Sequence, residues 1–156
     1  MVLSYGQFNA PKRLRHGGRN QQPEYQAGVQ LMTWAWHLER QYPILGMLFH
    51  VPNGQHLRIE AAMRLKRSGV KPGVVDYMLP APRGAYHGLG LELKADKGRV
   101  STEQEWWIDA LNNCGWIAKA CWGFDEAREF LEAYCQLPEF DGQTKIKGGS
   151  ENEKEK

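Results

Sequence analysis

The sequence has no apolar run approaching the ~18 residues of a membrane-spanning helix, which predicts no membrane partner. It is poor in cysteine. Its three (Cys114, Cys121, Cys135) show no C-x-x-C spacing and no secretion signal beside them, so they read as reduced, partly buried thiols in a cytoplasmic protein. The five histidines (His16, His37, His50, His56, His87) are scattered, and none pairs with a cysteine at ligand spacing, which argues against zinc. An excess of one charge is also missing. Twenty Lys and Arg against 18 Asp and Glu leave +2, so any nucleic-acid surface must be a local patch rather than a global field. No internal repeat is apparent. At 156 residues, 42% hydrophobic and 24% charged, the chain suits one globular domain with a real core.

What the sequence does have is concentrated in residues 73–94. G-V-V-D-Y-M-L-P is followed by a loop punctuated by Pro80, Pro82 and Gly84, and then by G-L-G-L-E-L-K. Two short runs of strand-forming residues each carry one acid, Asp76 and Glu92. Side chains two apart on a strand share a face, so Glu92 and Lys94 project together. If the runs pair as a hairpin, Asp76 lies beside them. Mg²⁺ takes oxygen ligands at about 2.1 Å and binds through one or two carboxylates plus water and substrate phosphate. Asp76 and Glu92 supply carboxylates for Mg²⁺ or Mn²⁺, the Leu93 carbonyl a third oxygen, and Lys94 a fixed positive charge beside them.

The rest of the chain builds a frame around these strands. Residues 1–22 read as a flexible basic arm with Lys12, Arg13, Arg15 and Arg19. Residues 23–41 form an amphipathic helix with Val29, Trp34, Trp36 and Leu38 as its apolar members, and Pro43 ends it. Residues 44–51 make a largely buried first strand, and Pro52-Asn53-Gly54 a turn. A helix over 55–68, capped by Gly69, carries Arg58, Arg64, Lys66 and Arg67, with Lys71 just after. These five are candidate contacts for DNA phosphates. The next helix spans 101–113. Either Ser101 with Gln104 or Thr102 with Glu105 closes a capping box, and the second pairing is favoured because it leaves Gln104 free. Its tryptophans, Trp106 and Trp107, read as core. A last strand over 116–122 precedes a helix N-capped by Asp125, with Ala127, Phe130, Leu131 and Tyr134 as its buried stripe. From residue 137 a disordered polar tail is expected, so the ordered domain runs 23–136. The order helix, strand, helix, strand, strand, helix, strand, helix implies an α/β fold with a central mixed sheet flanked by helices.

H-V-P-N-G-Q, then G-V-K-P-G-V-V-D-Y-M-L-P, then G-L-G-L-E-L-K, then S-T-E-Q-x-x-W, in that order, resembles the VRR-NUC domain of the PD-(D/E)XK nuclease superfamily. The likeness is greatest to small stand-alone versions from phages and prophages, and it covers roughly residues 24–134. One position departs: Val75 stands where the family usually has a second proline, which leaves the ligand residues untouched. The resemblance implies a restriction-endonuclease-like core with Asp76, Glu92 and Lys94 catalytic. It further implies Gln104 reaching the site from its helix, a glutamate from the first helix (Glu24), and Asn53 near bound DNA. It also implies a homodimer that cuts branched DNA, four-way (Holliday) junctions in particular, in the cytoplasm of a bacterial host.

The expected activity is therefore metal-dependent phosphodiester hydrolysis in DNA. A non-catalytic nucleic-acid-binding module on the same fold is the rival, and the intact D…E-x-K set argues against it, since a binder has no need of two acids beside repelling phosphates. A two-carboxylate glycosidase would leave Lys94 and the basic helix without a role. A sequence-specific restriction enzyme would want a target-reading insertion, and none is evident.

Overall fold

The computed structural model of the chain describes residues 23–52 and 59–140. The expected basic arm, Asn53 and Arg58 lie outside these residues, as do residues 141–156.

The fold is arranged around β3 (Leu89–Lys94), all six of whose residues are buried. β2 (Tyr77–Leu79) pairs with it antiparallel and β4 (Ile117–Trp122) parallel, while the two-residue β1 (Phe49–His50) adds to the far side of β2. The sheet order is β1-β2-β3-β4. A strand with neighbours on both sides and helices on both faces must be buried throughout, and this explains the leucines of β3. Leu89, Leu91 and Leu93 join the main core with residues of α1 (Pro23–Leu38) and α4 (Gly123–Cys135). Gly90, Glu92 and Lys94 alternate to the other face, covered by α3 (Thr102–Asn113), whose Leu111 packs on Gly90. The element order follows the expected one, with α2 (Ile59–Arg67) between β1 and β2.

Several local expectations are corrected. The buried face of α1 is Ala27, Gly28, Leu31 and Ala35, while Val29 and Trp36 are exposed. The reason is proximity: Gly28 packs so closely on the Tyr77 hydroxyl that a Cβ would collide with it, and small residues let the helix lie flush on the sheet. The strand expected over 44–51 shrinks to the exposed pair Phe49–His50. Pro43–Met47 forms a single 3₁₀ turn instead, burying Leu45 and then Leu48 at a spacing of three that suits this tighter helix.

α3 is capped by Ser101, not Thr102. The final helix begins at Gly123 without a side-chain cap from Asp125; Glu126 turns back to accept the Trp122 backbone N–H at 2.9 Å. Trp106 is not core but 62% exposed, edge-on to Trp107. Cys121 and Cys135 are buried free thiols, whereas Cys114 is exposed. Residues 137–140, assigned to the tail, pack onto the domain: Leu137 contacts the core, Gly84 N–H donates to the Pro138 carbonyl, and Phe140 meets His87.

Candidate active site

The register of the hairpin brings the acids together. Tyr77 stands opposite Leu91, so the residue before it, Asp76, falls beside Glu92. Asp76 is tied into place by two backbone bonds. Its Oδ2 accepts the Leu93 N–H at 2.9 Å, and its carbonyl accepts the Val51 N–H at 2.7 Å. Because N–H and C=O of one strand residue point the same way, the Leu93 carbonyl faces the same side as Asp76. Glu92 and Lys94 share the opposite face of β3 from the leucines, and Lys94 Nζ lies 2.7 Å from Glu92 Oε1. Gln104 Nε2 donates to that same oxygen.

The other oxygen, Glu92 Oε2, is buried, and among the described residues no N–H or O–H donor reaches it. A carboxylate at 0% exposure with half its acceptors unmet is a costly arrangement. Burial, with the charges of Asp76 and Glu24 adding to it, pushes the Glu92 carboxyl up to about 7 despite the opposing Lys94 ammonium. Burial also raises Asp76, against the pull of the Leu93 N–H, of the charges on Lys94 and His50, and of a side-chain contact with Glu92.

Gln104 serves two masters. Its Oε1 accepts the Ser101 N–H at 2.9 Å to close the capping box, while its Nε2 reaches Glu92. Capping and reaching the site, expected from the two capping boxes to be alternatives, are not exclusive, because a primary amide has two ends and does both. Glu24 lies in the first turn of α1, close enough for its charge to raise both Glu92 and Tyr77.

The structure adds two residues that sequence reasoning passed over. His50 stands opposite Tyr77 in register, its ring 5.1 Å from the Tyr77 ring, and its charge acts on Asp76. The tyrosine itself is pushed up to about 12, chiefly by burial. The available signal was the position of His50 two residues before Pro52-Asn53-Gly54, obscured by counting histidines only as zinc ligands. Of the expected DNA contacts, Arg64, Lys66, Arg67 and Lys71 are all exposed, at the end of α2 and just beyond.

These residues fit a hard divalent cation. Among the described residues no three His, Cys, Asp or Glu side chains cluster as a closed metal cage. Two carboxylates, one with an unpartnered buried oxygen, and a strand carbonyl instead make a partial oxygen set. That is the donor set of an ion that keeps water and takes substrate oxygen.

No curated protein matches the chain. A solved structure described as a VRR_NUC domain protein superimposes with a TM-score of 0.66 at 28% identity, covering 80% of this chain and 98% of that one. The family model for the VRR-NUC domain matches residues 20–125. With its mixed four-stranded, restriction-endonuclease-like sheet between helices, the chain belongs to the VRR-NUC family of nuclease domains.

Proposed function

We propose that this nuclease domain is a metal-dependent DNA endonuclease acting on branched DNA, four-way junctions among its substrates, and that it works as a homodimer in the cytoplasm. One observation carries the metal dependence: the buried, unpartnered Oε2 of Glu92 beside Asp76. Asp76, Glu92 and the Leu93 carbonyl would hold Mg²⁺ or Mn²⁺, which would supply an acidified water and charge neutralisation at a phosphoryl oxygen.

The chain's own groups do the rest. Lys94 orients the attacking water and offsets the charge that builds on the phosphoryl oxygens as one P–O bond forms and another breaks. Gln104 fixes the rotamer of Glu92, and Glu24 completes the site with a further carboxylate from the first helix. The exposed cations Arg64, Lys66, Arg67 and Lys71, together with Asn53 and Arg58, hold DNA phosphates without reading sequence. Two-fold symmetry suits a four-way junction, since paired sites nick opposite strands.

The test is a panel of labelled linear duplex, single-stranded, flap and four-way-junction DNA, each incubated with Mg²⁺, Mn²⁺ or EDTA. Cutting of the branched substrates with either metal and none in EDTA is the expected result. Binding without cutting in every metal would instead identify an inert nucleic-acid-binding module.

A further inference from the structure

Trp122 is an exposed aromatic on the wall of the site that the hydrolytic reading leaves unused. β3 and β4 run parallel with Glu92 opposite Ala120 and Lys94 opposite Trp122. Paired residues of neighbouring strands project to the same face, so the indole stands on the Glu92–Lys94 side, one strand spacing (about 4.8 Å) away. Trp122 is 41% exposed. It is also held at both ends. Its backbone N–H donates to Glu126 Oε2 at 2.9 Å, and its Nε1–H donates to the Gly98 carbonyl at 3.0 Å. Gly98 belongs to the turn folded over Lys94, where a Cβ would lie 3.2 Å from Lys94 Cβ. The residues on either side of Gly98, Lys97 and Arg99, are exposed cations.

An indole that is 41% exposed and whose N–H is fixed to a backbone carbonyl is already ordered. Such a ring stacks on a planar partner at small entropic cost. We infer that Trp122 is a stacking platform for an unstacked nucleobase beside the cleaved phosphate, with Lys97 and Arg99 taking the neighbouring phosphates. Within a continuous duplex each base face is covered by the next pair; a face is free where stacking is interrupted, at a gap, a fork or an opened branch point. Trp122 therefore selects interrupted duplex over continuous duplex. The inference rests on the nuclease reading of the adjacent carboxylates and names the substrate feature that reading leaves open.

The test uses the full chain carrying Asp76→Asn, in metal-free buffer, so that DNA is bound and not cut. Two probes of equal length are compared: a forked duplex with 2-aminopurine at the first unpaired position, and a fully paired duplex. The fork is expected to bind more tightly, with its fluorescence quenched on binding. Trp122→Leu, apolar but without a ring, should lower the fork-to-duplex affinity ratio roughly 5- to 100-fold and abolish the quench. Trp122→Phe, which keeps a ring but not the Gly98 bond, should retain most of both. An unchanged ratio in Trp122→Leu would overturn the platform, as would a Phe variant no better than the Leu variant. Should the Leu variant not fold, lack of quenching with Trp122 present overturns it alone. Failure to bind either probe would sink the nuclease reading too, whereas equal binding of both sinks only the stacking.

Discussion

A carboxylate taken fully out of water, as Glu92 is, keeps its charge at a cost, which Lys94 and Gln104 offset in part at one oxygen. Burial favours the neutral acid, which is the physical content of its raised pKa. A folded-state pKa of about 7 against 4.5 for the free side chain means that the folded protein binds the extra proton between those values. That contribution to stability is fully present below 4.5 and is lost as pH rises through about 7. In metal-free buffer the folding free energy should therefore fall across this window, by on the order of 1–3 kcal/mol. Asp76, raised by the same burial, adds in the same direction. Glu92→Gln should flatten the pH profile measured by thermal or chemical unfolding, and an unaltered slope would remove Glu92 as its source. For the reaction, Lys94→Ala should slow cleavage of a branched substrate by roughly 10²- to 10³-fold, and Asp76→Asn should bring it below detection, while both keep most of the DNA binding. Wild-type turnover in either variant would refute its assigned role.

At the level of elements, the site depends on how α3 is docked onto the segment leading into β2. Gly73 has φ +75, and a Cβ there would meet the backbone carbon of Glu103 at 2.7 Å, while Trp107 Nε1–H donates to the Pro72 carbonyl at 3.0 Å. These two contacts pin two regions of the site together: Asp76 follows three residues after Gly73, and Gln104 lies in the first turn of α3. Gly73→Ala should thus cost about 1–3 kcal/mol of stability through strained backbone and lower cleavage beyond what the stability loss explains. A normal cleavage rate in a destabilised variant would show that this docking does not set the site. The alternation of strand residues made Glu92 and Lys94 readable as a pair from the sequence, and two acid-bearing runs joined by a proline-punctuated loop made the hairpin readable. The face of α1 was not readable, because packing against Tyr77 selected glycine and alanine over larger apolar residues. Nor was the 3₁₀ turn at Pro43–Met47: a short apolar run has no period long enough to separate strand from turn. Ser101 and Thr102 offer equivalent capping boxes on paper, and the site decided between them, since Gln104 closes the box and reaches Glu92 together.

For the whole molecule, a sheet with one central buried strand provides a rigid base, and the chemistry collects where β2 begins and β3 ends. Helices α1 and α4 build the core on the leucine face, which leaves the other face to α3 and the polar residues. Among the described residues no helix is long and apolar enough to cross a membrane. The site is thus set on the most buried strand of the domain, and its own stability suffers from an unsatisfied oxygen that a divalent cation would satisfy. The direct measurement is a calorimetric titration of Mn²⁺ into the metal-free protein at a pH above 7, for the wild type and for Glu92→Gln. The wild type should bind Mn²⁺, more tightly as pH rises because the ion displaces the carboxyl proton. Glu92→Gln should lose at least ten-fold in affinity. Equal Mn²⁺ binding by the two proteins, or none by the wild type, would contradict a metal held between residues 76 and 92.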